Sequence, residues 1–446
     1  MTIELAHGLG GRSDLPVPLW MALYGGAAAV VISFAVLGAF WSKPRFSGSQ
    51  AGRELPQWLK RVVDAPATRV ALRALGVVAL LATYVTAAFG SDFTTSNPAP
   101  TWLYVWFWVG LVPASLAFGP IWRAMNPLRA ITAGLARLAG DPHQEHTNAY
   151  PRRLGYWPAT ASLLAFLWLE LVYARSAEPA TVLVFLVLYS LVHVIFATRF
   201  GQQWYSYGDG FEVYSTIVGH MSPFGRRGDG RLVVRNPFDG LAALQPAPGL
   251  VAVICVLLGS TAFDGLTRTQ LWSDLTQGTT GFLNMALGTA GLAWSVAFVA
   301  LSYTSASRVA GKLARNGVRL RKGSTMEGVF VHSLVPIMIG YTVAHYFSLF
   351  VFQGQAGYIL ASDPLGKGWN LFGTLDWTIN YTLVSTAAIA IVQLASIVTG
   401  HVTGVVSAHD TAVGVFMGKD KTRGQYSLLA VMVVYTLGGI GLLVGT

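Results

Sequence analysis

Cysteine is almost missing from this chain: Cys255 stands alone among 446 residues, inside an apolar run. One thiol excludes an internal disulfide, a four-cysteine zinc or iron–sulfur site and a CxxCH haem attachment. Charge is scarce as well, at 11% Asp, Glu, Lys and Arg, where a soluble domain carries about 25%. With 53% hydrophobic and 12% aromatic residues, too little polar material remains to cover a water-facing surface. Nucleotide and hydrolase motifs are absent too. Lys367 sits in PLGKGW, but the glycine that a P-loop needs five residues before Gly366 is not there. No HExxH, GxSxG or strand-borne GxGxxG occurs, so no catalytic residue is assigned and ATP-driven chemistry is not expected. No helix carries the row of arginines that marks a voltage sensor.

Long hydrophobic runs fill the chain instead. Ten reach spanning length: about 19–41, 74–90, 102–121, 157–174, 181–197, 250–266, 281–304, 327–353, 378–400 and 427–445. The ninth stays apolar to about 415. The expected fold is all-α, a polytopic transmembrane helix bundle forming a single domain over 1–446. Forty-nine glycines suit membrane helices whose backbones approach closely. The first residues show no basic stretch ahead of the first apolar run, so no cleavable signal is expected.

The basic residues are distributed lopsidedly. Segments 42–73, 122–156, 198–249, 305–326 and 416–426 hold 26 of the 30 Lys and Arg residues. The alternate segments hold only Arg12, Arg175, Arg268 and Lys367. Lys and Arg stay cytoplasmic because translocating them is disfavoured. The alternation therefore predicts both termini on the non-cytoplasmic side. It also accounts for the net charge of +10 with the lipid bilayer as partner and no nucleic acid.

Three cytoplasmic segments are expected to be structured. Residues 55–63 mix apolar and basic side chains as an interfacial helix does. Asn126-Pro127 reads as a helix start, cap then first position, followed by Leu128, Ile131, Leu135 and Leu138 on one face, a helix lying along the headgroups. Segment 198–249, with Trp204, Tyr205, Tyr207, Phe211, Tyr214 and a second Asn-Pro at 236–237, is too short for a catalytic domain. It reads as a cap or a docking surface for a protein partner. Five plus five helices would suit an inverted repeat, but only Gly25-Gly26 interrupts the first helix and the sixth shows no counterpart.

Ionisable residues at membrane depth cost about 2.5–3.5 kcal/mol for Asp, Lys or Arg, and each asks for a reason. Depth by topology places Glu170, Asp264 and His345 in an outer layer and His193, His332 and His401 in an inner one, with His409 and Asp410 lower still. A pair of Glu170 with Arg175 is expected. Three chemistries follow. The leading one is a secondary transporter or permease for a small polar or ionic solute. Its proton path would run through these His and carboxylate groups, with Gln353, Gln355, Asn380 and Gln393 as uncharged ligands. The second is a b-type haem held by His332, His345, His401 or His409. His332 and His345, 13 apart, sit roughly 140° from each other on a helix, which allows one haem and no two-haem ladder. The third is a divalent metal, Zn²⁺ or Fe²⁺, on His401, His409 and Asp410. A non-catalytic scaffold docking partners at 198–249 completes the set.

Several segments recur in a familiar combination: Ala344-His345-Tyr346, Gln353, Gln355, Ser362-Asp363-Pro364 and Gly368-Trp369-Asn370-Leu371-Phe372-Gly373, then Gly400-His401-Val402 and Ala408-His409, with Asn126-Pro127 and Phe263-Asp264-Gly265-Leu266 earlier. Over most of its length the chain resembles a family of prokaryotic polytopic integral membrane proteins with no assigned activity. The resemblance implies a bacterial or archaeal cytoplasmic membrane and directs attention to Asp264, His345, His401 and His409. The outer loop 354–377, with Asp363, Lys367, Asp376, Trp369, Trp377 and five glycines, reads as an aromatic interfacial anchor rather than a lid.

Overall fold

The computed structural model describes residues 18–141, 147–314, 317–320, 322–418 and 420–444. The stretch before 18, with Arg12, the C-terminal pair 445–446, and Arg315, Arg321 and Lys419 lie outside the described residues. The fold is a helical bundle. Among the described residues, eight helices are long and apolar enough to cross a membrane, or nine when Leu250–Leu266 and Gln270–Thr276, bent by 79°, count as one span. The fourth expected span is the helix Trp157–Leu171, 15 residues long, below the roughly 20 that cross a hydrocarbon core. The ninth begins at Thr386, later than expected, and runs to Val415.

Helix starts are written in local chemistry. Pro66, Pro98, Pro127 and Pro179 open helices at the first positions, where the missing N–H has no partner to lose and φ is preset. Asn97, Asn126, Asp209 and Ser385 cap helices by accepting backbone N–H groups. The middles are set by hydrophobicity. On Pro179–Phe200, Val184, Leu188, Leu191 and Ile195 are each more than half exposed. A continuous apolar surface of that kind is stable only against lipid.

Contacts divide the chain into two compact units. The first takes the described residues of Met1–Ala51, Phe238–Ser348 and Thr382–Thr446. In it, Leu19–Phe40 packs on Thr386–Val415 and Tyr426–Val444, and Leu250–Leu266 packs on Gly281–Leu313. Ala22, Tyr341, Ala344, Ile397 and Ile440 form a buried cluster. The segment starting at Val335 runs antiparallel to Thr386–Val415, and the two backbones touch. A Cβ on Gly340 would lie 2.4 Å from the Ser396 carbonyl oxygen, and one on Gly400 2.7 Å from that of Pro336.

The second unit takes Gly52–Pro237 and Leu349–Tyr381. Pro66–Phe89 packs on Pro179–Phe200 and on Pro127–Leu138. Of segment 198–249, read as a cap or a docking surface, residues 198–237 belong to this unit and contribute to its interior. Gln203–Gly208 and Gly210–Gly219 bring Trp204, Tyr205, Phe211, Val213, Tyr214, Ile217 and Val218 into its core. Phe211 meets Trp108, Phe166 and Tyr189 edge-on or tilted. The part left outside is a small antiparallel sheet of Arg53–Glu54, Leu232–Val234 and Phe224–Arg226.

Acidic residues balance that sheet's arginines: Arg226 pairs with Asp64, and Arg227 and Arg231 pair with Glu54 and Asp229. The Arg227 guanidinium and the Arg231 backbone N–H hold the Asp229 carboxyl down to about 2. A depressed carboxylate contributes stability above its unfolded pKa, near 4, and loses it as pH falls toward its folded value. The sheet's amide protection in hydrogen exchange is therefore expected to hold above about pH 4 and to fall between there and about 2.

Candidate functional site

In the first unit, Asp264 and His345, expected in one layer, meet: His345 Nε2 lies 2.5 Å from Asp264 Oδ2. Asp264 ends the Leu250–Leu266 helix and His345 stands on Val335–Leu360. Arg268, one turn beyond Asp264, brings Nη2 to 2.9 Å from the same Nε2 and 3.5 Å from Asp264 Oδ1. Tyr346 donates its hydroxyl to Asp264 Oδ2 at 3.4 Å. The Tyr341 hydroxyl lies over Gly265, where a Cβ would approach it to 2.9 Å. The His345 side chain is 1% exposed, Asp264 12% and Arg268 26%, so Arg268 is the member that reaches outward. Sequence reading counted Arg268 as a loop cation. The Asp264–Arg268 spacing of four was the available signal, because i and i+4 share a helix face.

Beside this trio, three buried polar atoms lack a hydrogen-bond partner among the described residues: Tyr341 Oη, His345 Nδ1 and Ser348 Oγ. Their spacing of four and three places them on one helix face, over about 10 Å of helix axis. His401 repeats the pattern. Its Nδ1–H donates to the Ile397 carbonyl at 2.8 Å, which leaves Nε2 as a bare acceptor, also buried and without a partner. The antiparallel crossing of Gly340 on Gly400 puts His401 two residues below the level of Tyr341, and half-buried Gln393 about level with Ser348.

The other expected site residues do not join this group. His332 Nε2 pairs with the Thr411 hydroxyl at 3.0 Å. His409 donates Nε2–H to the Trp41 carbonyl at 2.9 Å, and its Nδ1 lies 2.9 Å from the Gln425 side-chain oxygen. Asp410 accepts from Trp41 Nε1 at 3.0 Å and from the Arg45 backbone N–H at 2.6 Å. Both residues thus clamp the chain leaving the first helix. Asp410→Ala is expected to cost about 1–3 kcal/mol, the desolvation of the donors it strands, and to open residues 41–46 to limited proteolysis. A variant as protease-resistant as the parent would refute the clamp.

His193 belongs to the second unit, where Trp204 Nε1–H donates to its Nδ1 at 2.9 Å and Ser162 Oγ lies 3.3 Å from its Nε2. Arg175 pairs with Glu178 at 3.8 Å rather than with Glu170, which is half-buried near the end of its helix. Asn380 lies in the exposed loop ahead of Thr386, not on the ninth helix, and its backbone N–H donates to Gln355 Oε1 at 2.9 Å. Gln353 is half-buried on the eighth.

Neither cofactor reading fits these residues. A haem between the eighth and ninth helices has no room where Gly340 and Gly400 bring the backbones together. The Nε2 atoms of His332, His345 and His409 are engaged as described. His401 and His409 are eight residues apart, about 12 Å along the helix. Among the described residues no three His, Cys, Asp or Glu side chains group closely enough to hold a metal ion.

Sequence reading missed a second polar centre, inside the second unit. Arg129, expected on the headgroup-facing helix Pro127–Leu138, turns inward and is 6% exposed. It forks onto Glu212, Nη2 to Oε1 at 2.5 Å and Nε to Oε2 at 2.6 Å. Its Nη1 donates to the Gln202 carbonyl and its Nη2 to the Ser206 hydroxyl, both at 2.9 Å. Asn126 Nδ2 bridges Glu212 Oε2 and Asp209 Oδ2. Asp209 Oδ1 accepts from the Tyr189 hydroxyl at 2.6 Å and from the N–H groups of Phe211 and Glu212. The signal was Asp209-x-x-Glu212 before an apolar run, the spacing of a capping box. With its donors and acceptors matched, this centre holds the Gly210–Gly219 helix in place.

No family profile, curated protein or solved structure matches the chain. Fold and site define its class: a multi-pass integral membrane protein with a polar group of Asp264, Arg268 and His345 inside its helix bundle.

Proposed function

We propose that the protein is a secondary transporter or permease for a small polar or ionic solute, coupled to protons. It would work in the cytoplasmic membrane of a bacterium or archaeon, with its basic loops on the cytoplasmic side, within a prokaryotic membrane-protein family of the kind it resembles. One observation carries the reading: a carboxylate, an imidazole and a guanidinium meet at His345 Nε2, next to buried polar atoms without partners. Ion pairs that only tie helices together are normally saturated with hydrogen bonds, as the Arg129–Glu212 centre is. This one is not: it leaves His345 Nδ1 buried and without a partner.

The test uses liposomes containing the full chain and an entrapped pH-sensitive dye, with empty liposomes subtracted. Potassium nitrate, potassium formate, glycerol and alanine are added outside in turn under an inside-negative potential. At least one is expected to accelerate interior acidification, and Asp264→Asn or His345→Ala to reduce that acceleration tenfold or more. Proton entry that none of the four accelerates, or that both variants leave unchanged, would refute the proposal.

A further inference from the structure

We infer that the ligand of the Asp264–Arg268–His345 group is a small monovalent anion that binds together with one proton. This deepens the transport reading and rests on it. The argument is a count of charges and hydrogen-bond positions. With Asp264 ionised, Arg268 charged and His345 neutral, the trio sums to zero. The 2.5 Å contact needs a proton between Nε2 and Asp264, which we assign to Nε2; Arg268 Nη2, 2.9 Å away, is then a neighbouring charge and not a donor to that nitrogen, and Nδ1 is a bare acceptor with nothing to accept from. An added proton has two resting places: on the ring, giving an imidazolium, or on Asp264 with the ring's own proton moved to Nδ1. Both outcomes are alike where a ligand would meet the site: Nδ1 becomes an N–H donor, and the trio's charge rises to +1.

A buried donor with a net positive charge and no acceptor is costly, and an anion beside Nδ1 removes both penalties. The donors to hold it are in place. The Tyr341 and Ser348 hydroxyls stand one turn to either side of His345 on the same helix face, both buried and unpartnered. Arg268 reaches outward as the entry cation, its side chain 26% exposed. The charged and titratable groups facing His345 are Asp264 and Arg268 from the preceding helix and its turn, and Tyr341 and Tyr346 from its own. His401 lies just below Tyr341 on the Thr386–Val415 helix. Among the described residues none of these adds a negative charge beyond Asp264, which leaves the compensating charge to an anion from outside the protein. The lack of net charge before protonation argues against a cation ligand, which Arg268 would repel.

The test is equilibrium binding to the detergent-solubilised full chain, kept apart from transport. Potassium chloride, nitrate and formate are titrated in weakly buffered solution while a pH electrode follows proton uptake and tryptophan fluorescence follows binding. One proton is expected to be taken up per anion bound. By reciprocal linkage, affinity should weaken about tenfold per pH unit on the alkaline side. His345→Gln should abolish the proton uptake. Tyr341→Phe and Ser348→Ala, which leave the trio intact, should keep the one-to-one ratio and weaken binding roughly three- to tenfold, one hydrogen bond each. Anion binding without proton uptake, binding of none of the three anions, or unaltered linkage in His345→Gln would overturn the inference. If vesicle flux persists with no linked binding, this inference fails alone. If anion and proton bind together but no flux occurs, the transport reading fails alone.

Discussion

Glu212→Ala will cost the protein about 3–5 kcal/mol, because it leaves the buried Arg129 guanidinium without its counter-charge. Glu212 is 1% exposed and accepts two short hydrogen bonds from Arg129 and a third from Asn126. Its removal strands a cation in the interior of the second unit, where the remaining acceptors are the neutral Gln202 and Ser206. Thermal unfolding of the detergent-solubilised protein measures the loss, and a cost below about 1 kcal/mol would show the pair to be wet and weakly held. The double replacement Arg129→Met with Glu212→Leu is expected to recover most of the stability. Two apolar side chains of similar volume need no solvation, and buried pairs often replace at little net cost.

Gly340→Val is the second large effect. A Cβ at this position would overlap the Ser396 carbonyl oxygen at 2.4 Å, a backbone atom that can move only if the whole helix moves. Overpacking a well-packed core costs about 1–3 kcal/mol and more where backbone must shift, so this variant should sit at or above the top of that range. Gly400→Val repeats the clash against the Pro336 carbonyl oxygen. Gly438→Ala is the control: a Cβ there meets nothing within 4 Å, and the change should be neutral or slightly stabilising through helix propensity. Monodispersity in detergent and melting temperature separate the three. A Gly340→Val protein that melts with the parent would mean that the helices are not in backbone contact.

Both effects concern features that no run of residues announces. Asp209-x-x-Glu212 and Asn126-Pro127 are readable as two helix starts. That they share an arginine depends on two helices about 80 residues apart in sequence meeting in the second unit. Likewise Gly340 and Gly400 are two among 49 glycines until the crossing is known. His193, His332, His401 and His409 looked alike as intramembrane histidines. The structure separates them into two that hold neighbouring helices, one that clamps a loop and one with a free ring nitrogen.

The amino-acid sequence alone determined that this is a multi-pass helical membrane protein. The energy of burying apolar side chains, and of avoiding buried charge, is summed along each segment and needs no knowledge of its neighbours. It also set the helix starts, where proline and the capping side chains act within a turn of their own position. Only the tertiary structure decided which polar groups converge. A hydrogen bond forms at about 3 Å or not at all, and the meeting of Asp264, Arg268 and His345 depends on how two helices rotate and slide against each other. That choice is made by packing at places such as Gly340 and Gly400.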